Sequence, residues 1–394
     1  MLSSRVPRDF SANPLTLLRE EKRRAGRTVL DLTGANPTRA GFPGYAAEAI
    51  SALADPLASR YDPDPLGHPT AREAVAAYYA RRRSGPAGAD RIVLTAGTSE
   101  AYAHLFRLLC EPGDEVVAPR PSYPLFEPLA KLHDVSIRQY RFAYDGRWQL
   151  DLDSVEGAIG PRARALIVVQ PNNPTGSSLD EAEIAGVDRI CAERGLALIS
   201  DEVFGDFPWP PRSEPLGSLL GNRQALTFVL GGISKLCGLP QLKLGWIAVS
   251  GPEGRARGAL QGLEWISDLF LSVGAPVQLA LPRILEARGV FQRAAHERIA
   301  ANLEFLRGLA RRGVSLREAD GGWSAVVRFR PMVRGSGKGE APIQDLAEWA
   351  LDRHDVFLHP GHFYDLPEDD AVVSLLTNSE VLTEALGRLC GVER

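Results

Sequence analysis

The chain has 394 residues, 44% of them hydrophobic and 24% charged, so it can bury a large core without disulfides or metals, in roughly two to three domains or one large domain with a smaller companion. Its 45 basic and 49 acidic residues give a net charge of −4, which excludes a global basic footprint for nucleic acid. No apolar run reaches the roughly 18 residues of a membrane span, the opening MLSSRVPRDFSANP lacks a signal-peptide core, and Cys110, Cys191, Cys237 and Cys390 show neither CxxC nor zinc-type spacing. The expectation is a protein of a reducing cytoplasm, with no bound metal.

In chain order, residues 14–45 precede the first strand pattern and are expected to pack with the smaller companion. Ala71, Ala74, Val75, Tyr78 and Tyr79 recur at helical spacing. Short apolar runs follow at 91–97, 114–119, 165–171, 196–200, 226–232 and 244–251, near-continuous rather than alternating, as in strands buried on both faces. Strands separated by helices predict an α/β fold with a mostly parallel sheet wrapped by helices. From about residue 285 the pattern changes. Ile299, Leu303, Leu306 and Ala310 make one helix face, with Gly313 as its C-cap. The strand pattern WSAVVRF, a loop at 334–342, a helix carrying Leu346, Trp349 and Ala350, the runs DVFLHPG and AVVSLLT, and a final helix EVLTEALGRL complete an α+β domain. The expected division is 1–45, 46–285 and 286–394.

Ligands of open parallel sheets bind beyond the carboxyl ends of the strands, so the residues after each run are the candidates. Gly97, Thr98 and Ser99 open a helix and suit a phosphate, or are a hydroxyl N-cap. Asn173, within Pro171–Gly176, belongs to a turn and carries an amide able to donate to a ligand oxygen. Asp201 ends a buried strand, where a carboxylate needs a partner such as a protonated ring nitrogen, or caps the next element. Lys235 is one of only five lysines, with Lys22, Lys131, Lys243 and Lys338; it is a surface lysine or, if desolvated, a nucleophilic amine. A phosphate cradle, an amide donor, a buried acid and an amine in succession are what pyridoxal 5′-phosphate (PLP) requires.

With NNPTG at 172–176, the Asp201 segment and SKLCGLPQLKLGW at 234–246, the chain resembles the class I/II aminotransferases of the fold-type I, aspartate-aminotransferase-like superfamily, from LTGANPT at 32 to the C-terminal helix. The resemblance implies that Lys235 is the Schiff-base lysine, Asp201 the partner of the pyridine nitrogen and Asn173 the donor to the phenolic oxygen. It implies a phosphate turn at Gly97, Thr98 and Ser99, a stacking ring at Tyr123, and a Tyr61 that reaches the cofactor phosphate of a neighbouring subunit in a homodimer. His359–Gly361 and Asn36–Pro37 match loops at the substrate entrance. The implied reaction is ping-pong transfer of an amino group from an amino-acid-like donor to a keto-acid-like acceptor. A C–S β-lyase is the alternative on the same scaffold. A non-enzymatic effector domain behind a winged helix is disfavoured, because the pattern begins within about the first 30 residues.

Four positions depart from that family. Lys243 stands where a phosphate-binding arginine is usual, which keeps the charge and loses the bidentate fork. Gly232 replaces a phosphate-binding serine, and Ser234 points elsewhere if its segment is extended. Phe204 replaces a tyrosine that donates to the phenolic oxygen. Near the C-terminus the strand AVVSLLTN has Ser374 or a neighbour where an arginine usually clamps the substrate carboxylate. Arg39 reaches the site in its place or is a surface arginine.

Overall fold

The six apolar runs form six strands of one eight-stranded sheet: β2 (Ile92–Thr95), β3 (Glu115–Arg120), β6 (Ala163–Val169), β7 (Ala197–Asp201), β8 (Thr227–Gly232) and β9 (Gly245–Ser250). They are seen in a computed structural model that describes residues 2–82, 87–222, 224–330 and 345–391. The loop expected at 334–342 lies outside the described residues. Two further strands, β4 (Ser136–Tyr144) and β5 (Trp148–Leu150), complete the sheet in the order β2-β9-β8-β7-β6-β3-β4-β5. Neither is signalled by a continuous apolar run. β4 lies near the sheet edge, and only Tyr140 of its nine residues is buried.

β3, β4, β6, β7 and β8 run parallel, whereas β9 is antiparallel to both β2 and β8. β2 therefore points the same way as β8. The carboxyl ends of β2, β3, β6, β7 and β8 share one edge of the sheet with the amino end of β9. That single fact brings the turn at Gly97, Asn173, Asp201, Lys235 and Lys243 to the same side of the molecule.

Successive strand residues serve opposite faces. Leu94, Val117, Leu166, Leu198, Val229 and Ala248 pack with the helices Pro69–Ala80, Glu181–Arg194 and Ala275–Ala287. Val93, Val116, Ile167, Ile199, Phe228 and Ile247 pack with the helices Thr98–Leu109 and Glu253–Asp268.

A third core unites Leu15, Leu30 and Leu32 with the helices Gly289–Gly308, Leu346–His354 and Ser379–Leu389. Against these lies an antiparallel sheet of order β10-β11-β14-β13, formed by β10 (Val314–Leu316), β11 (Ser324–Phe329), β13 (His359–Pro360) and β14 (Asp370–Ser374). The N-terminal strand β1 (Leu30–Asp31) pairs in parallel with β12 (Val356–Phe357). Gly313, in the left-handed region at φ 83°, ends the short turn that follows Gly289–Gly308. Phe204, Phe207 and Trp209, from the loop after β7, also belong to this third core.

Candidate active site

Gly97 adopts φ +134° and opens the helix Thr98–Leu109 without a side-chain cap. Thr98 and Ser99 are thus the first helical residues and not its cap. Glu100 folds back to accept from the Ala96 N–H at 2.6 Å. A Cβ at Gly97 would stand 3.6 Å from Lys243 Nζ, so the Lys243 ammonium lies over the turn. The backbone segments that carry the two residues are in contact, since a Cβ on Gly245 would come 3.0 Å from Gly97 Cα. Lys243 itself takes the left-handed conformation, φ 53°, on entering β9.

Asp201, at the end of β7, is 9% exposed. The Tyr102 hydroxyl donates to its Oδ2 at 3.1 Å and the Val203 N–H to its Oδ1 at 3.2 Å. Among the described residues no cation lies within ion-pair distance of it. Burial raises its pKa to about 6, although both hydrogen bonds and the Lys235 charge favour the anion.

Lys235 sits in the helical turn Ile233–Leu236. The segment after β8 is therefore not extended. Ser234 and Lys235 diverge by about 100° around its axis. Gly232 admits β9 at close range, since a Cβ there would lie 3.1 Å from the Leu244 carbonyl oxygen. Lys235 Nζ lies 5.2 Å from the ring centre of Trp323 and 5.6 Å from that of Phe204, with no hydrogen bond to the described residues. Burial lowers its pKa, and Asp201 acts in the opposite sense.

Asn173 Oδ1 accepts from the Ser324 hydroxyl at 3.2 Å, and its N–H2 end has no hydrogen-bond partner among the described residues. Phe204 is 7% exposed and packs edge-on against Trp323, with ring centres 5.4 Å apart.

Other expected residues stand further out. Tyr123 follows β3, is 45% exposed and walls a cavity of about 310 Å³ with Gln139, Phe363 and Asp365. Tyr61 is 85% exposed, beside a separate cavity lined by His68, Leu271 and Gln278. His359 Nδ1 meets the Tyr364 hydroxyl at 2.8 Å. Asn36 accepts from the Thr38 N–H and hydroxyl, and Arg39 is exposed with no ion pair among the described residues. Ser374 donates to the Gly34 carbonyl at 2.8 Å and accepts from the Leu376 N–H. No arginine occurs in β14.

Sequence reasoning did not find Tyr102, Trp323 or Ser324. Tyr102 reads as one more apolar position of its helix. The other two belong to a strand assigned to the companion domain.

These residues fit PLP. Among the described residues, the buried acid lacks a cation that a ring N–H would supply, the turn beneath Lys243 is open to an anion, and neither the Asn173 N–H2 nor the Lys235 amine has a hydrogen-bond partner. Residues 28–389 match the family model for aminotransferase class I and II. The chain belongs to that family. Class I and II aminotransferases depend on PLP.

Among relatives within this aminotransferase family, the chain is 31% identical over 273 residues to nicotianamine aminotransferase 1 of Oryza sativa subsp. japonica, covering 67% of this chain and 54% of that protein. It is 28% identical over 272 residues to the glutamate-pyruvate aminotransferase AlaA of Escherichia coli K12, covering 68% and 67%. The chain thus spans about half to two thirds of the length of these curated relatives. In fold it resembles the alanine aminotransferase of Pyrococcus furiosus, with a TM-score of 0.86 at 22% identity and 99% of each chain covered. It likewise resembles the aspartate aminotransferase of Thermotoga maritima, with a TM-score of 0.82 at 23% identity and 99% of each chain covered.

Proposed function

We propose that this chain is a PLP-dependent aminotransferase that moves an amino group from an amino-acid-like donor to a keto-acid-like acceptor in two half-reactions. The observation that carries the reading is the placement of Lys235: a buried amine between the Trp323 and Phe204 rings, with its pKa lowered by burial, near a buried acid and without a hydrogen bond to the described residues. When bound, PLP supplies a carbonyl that links amines and a ring that accepts the electron pair released as a substrate Cα–H bond breaks.

The chain's residues supply the rest. Lys235 Nζ holds the cofactor covalently. Once freed by the donor amine, Lys235 Nζ would accept the proton from the substrate Cα as base and give it up again as acid. Asp201, whose two oxygens are held by Tyr102 and the Val203 N–H, would stay ionised as the partner of the ring N–H. Asn173 would donate to the phenolic oxygen, and Tyr123 would supply the aromatic cover for the ring. Gly97, Thr98, Ser99 and Lys243 would bind the phosphate. The buried walls formed by Trp323 and Phe204 exclude water from Nζ.

The reading includes a homodimer in which Tyr61 reaches the partner's phosphate. The exposed Tyr61, Leu269, Phe270 and Leu271 support it as surface for such a contact, since Tyr61 and Leu271 line one cavity. A cytoplasmic setting accords with four cysteines that form no disulfide. Among the described residues no helix is long and apolar enough to cross a membrane. The divisions 1–45, 46–285 and 286–394 are the working domain limits.

The test is a panel of amine donors added to PLP-loaded protein, followed by visible absorbance. Bleaching by a donor and recovery on adding a keto acid are expected. Release of ammonia and a keto acid without an acceptor would instead identify a lyase, and no response to any donor would remove the reading.

A further inference from the structure

Ser324 and Asn173 are 151 residues apart in the chain and meet through one hydrogen bond, Ser324 Oγ to Asn173 Oδ1 at 3.2 Å. The strand that carries Ser324 is fastened to the loop that carries Asn173. The N–H groups of Asp320 and Gly321 both donate to the Gly176 carbonyl at 3.0 Å, and the Ser178 N–H donates to Asp320 Oδ2 at 2.9 Å. The Gly322 N–H reaches the Phe207 carbonyl and the Trp209 N–H the Asp320 carbonyl, each at 2.8 Å. Contact is close enough that a Cβ on Gly176 would fall 2.6 Å from the Gly321 carbonyl oxygen. Ser324 therefore enters the site on a fixed backbone.

Its cross-strand neighbour is Ser374, whose hydroxyl is already committed to the Gly34 carbonyl. The Ser324 hydroxyl is the one of the pair that serves Asn173. A side-chain amide has a donor end and an acceptor end, and rotation by half a turn exchanges them. A serine hydroxyl can serve either end; here it donates to Oδ1, which presents the N–H2 end to a ligand. In the opposite orientation Oδ1 would face an anionic ligand oxygen and be repelled. Phe204 offers no alternative donor.

We propose that Ser324 is a positioning residue that fixes the Asn173 amide with its N–H2 end toward the phenolic oxygen of the cofactor. The proposal rests on the reading that PLP occupies this site. Its effect is transmitted through Asn173, so its loss should be felt only when Asn173 is present.

The experiment is a double-mutant cycle on the full chain, with PLP affinity measured by equilibrium dialysis of apo-protein for wild type, Ser324→Ala, Asn173→Ala, the double variant and Ser324→Thr. Removal of one orienting hydrogen bond should weaken PLP binding about five- to tenfold in Ser324→Ala. The Ser324→Ala change should cause no further loss in the Asn173→Ala background, and Ser324→Thr should retain the wild-type affinity. Apo thermal midpoints read alongside separate a folding defect from a binding defect. An equal loss in both backgrounds, or no loss in Ser324→Ala, overturns the proposal. Failure of the wild type to bind PLP overturns the cofactor reading itself, and is visible before any variant is compared.

Discussion

The phenol of Tyr102 and the carboxylate of Asp201, 99 positions apart, are joined by a hydrogen bond of 3.1 Å inside the protein, where Asp201 has no cation within ion-pair distance among the described residues. The bond favours the anion of Asp201 but does not overcome its burial, which leaves the pKa raised from 3.8 to about 6. In the absence of a ligand this group opposes folding at neutral pH. A ligand cation against Asp201 removes that cost.

Folding of the apo-protein takes up a proton at Asp201 between pH 3.8 and about 6. The contribution of this group is fully present below the lower value and is lost as pH rises through the higher, about 3 kcal/mol in all. The variant Asp201→Asn should therefore raise the apo thermal midpoint at pH 7 and flatten its pH dependence between about pH 4 and 6, while PLP affinity falls at least about tenfold. Loss of the attraction between Asp201 and Lys235 offsets part of the gain. Calorimetry of both apo-proteins across this range is the measurement. A lower midpoint in the variant at pH 7 would mark Asp201 as a structural cap.

Lys235→Ala should abolish turnover and the covalent attachment of PLP. Among the lysines of the described residues, Lys235 alone lies between Trp323 and Phe204 and beside Asp201. Borohydride reduction of the loaded wild type, followed by peptide mapping, should place the label on residue 235. A label on Lys243 or another lysine would refute the assignment.

Lys243→Ala should weaken PLP retention more than it slows the reaction in excess cofactor. Its ammonium lies over the Gly97 turn, and one charge-assisted contact to a phosphate is worth about 1.5–3 kcal/mol, or roughly tenfold to a hundredfold in affinity. Dialysis of the loaded variant reads retention directly. Equal affinity in variant and wild type would leave Lys243 with no phosphate role.

Phe204→Tyr tests the other side of the ring. A hydroxyl here, where Lys235 Nζ is 5.6 Å from the ring centre, would add a donor to the phenolic oxygen beside Asn173. A better-stabilised phenolate holds the proton of the lysine–cofactor linkage less tightly. The pH midpoint of the visible absorbance change should fall, each pH unit corresponding to about 1.4 kcal/mol. An equal or higher midpoint would show that residue 204 does not face that oxygen.

The amino-acid sequence determined the layered α/β architecture because strands buried on both faces must be apolar throughout, and the six continuous runs could serve little else. It also marked Gly97, Asn173, Asp201 and Lys235 as candidates, since ligands of a parallel sheet bind just past its strand ends, and the family resemblance added Lys243. It did not reveal β4, whose side chains alternate and whose outer face meets solvent, so that its pattern resembles a polar loop. Strand order was equally hidden. That β9 lies antiparallel between β2 and β8, and so is entered from Lys243 beside the Gly97 turn, is a property of packing and not of any local pattern. The partners that tune the site, Tyr102 on Asp201 and Ser324 on Asn173, are hydrogen bonds between groups 99 and 151 residues apart. Local sequence carries the identity of each group, but only the folded backbone decides which donor faces which acceptor.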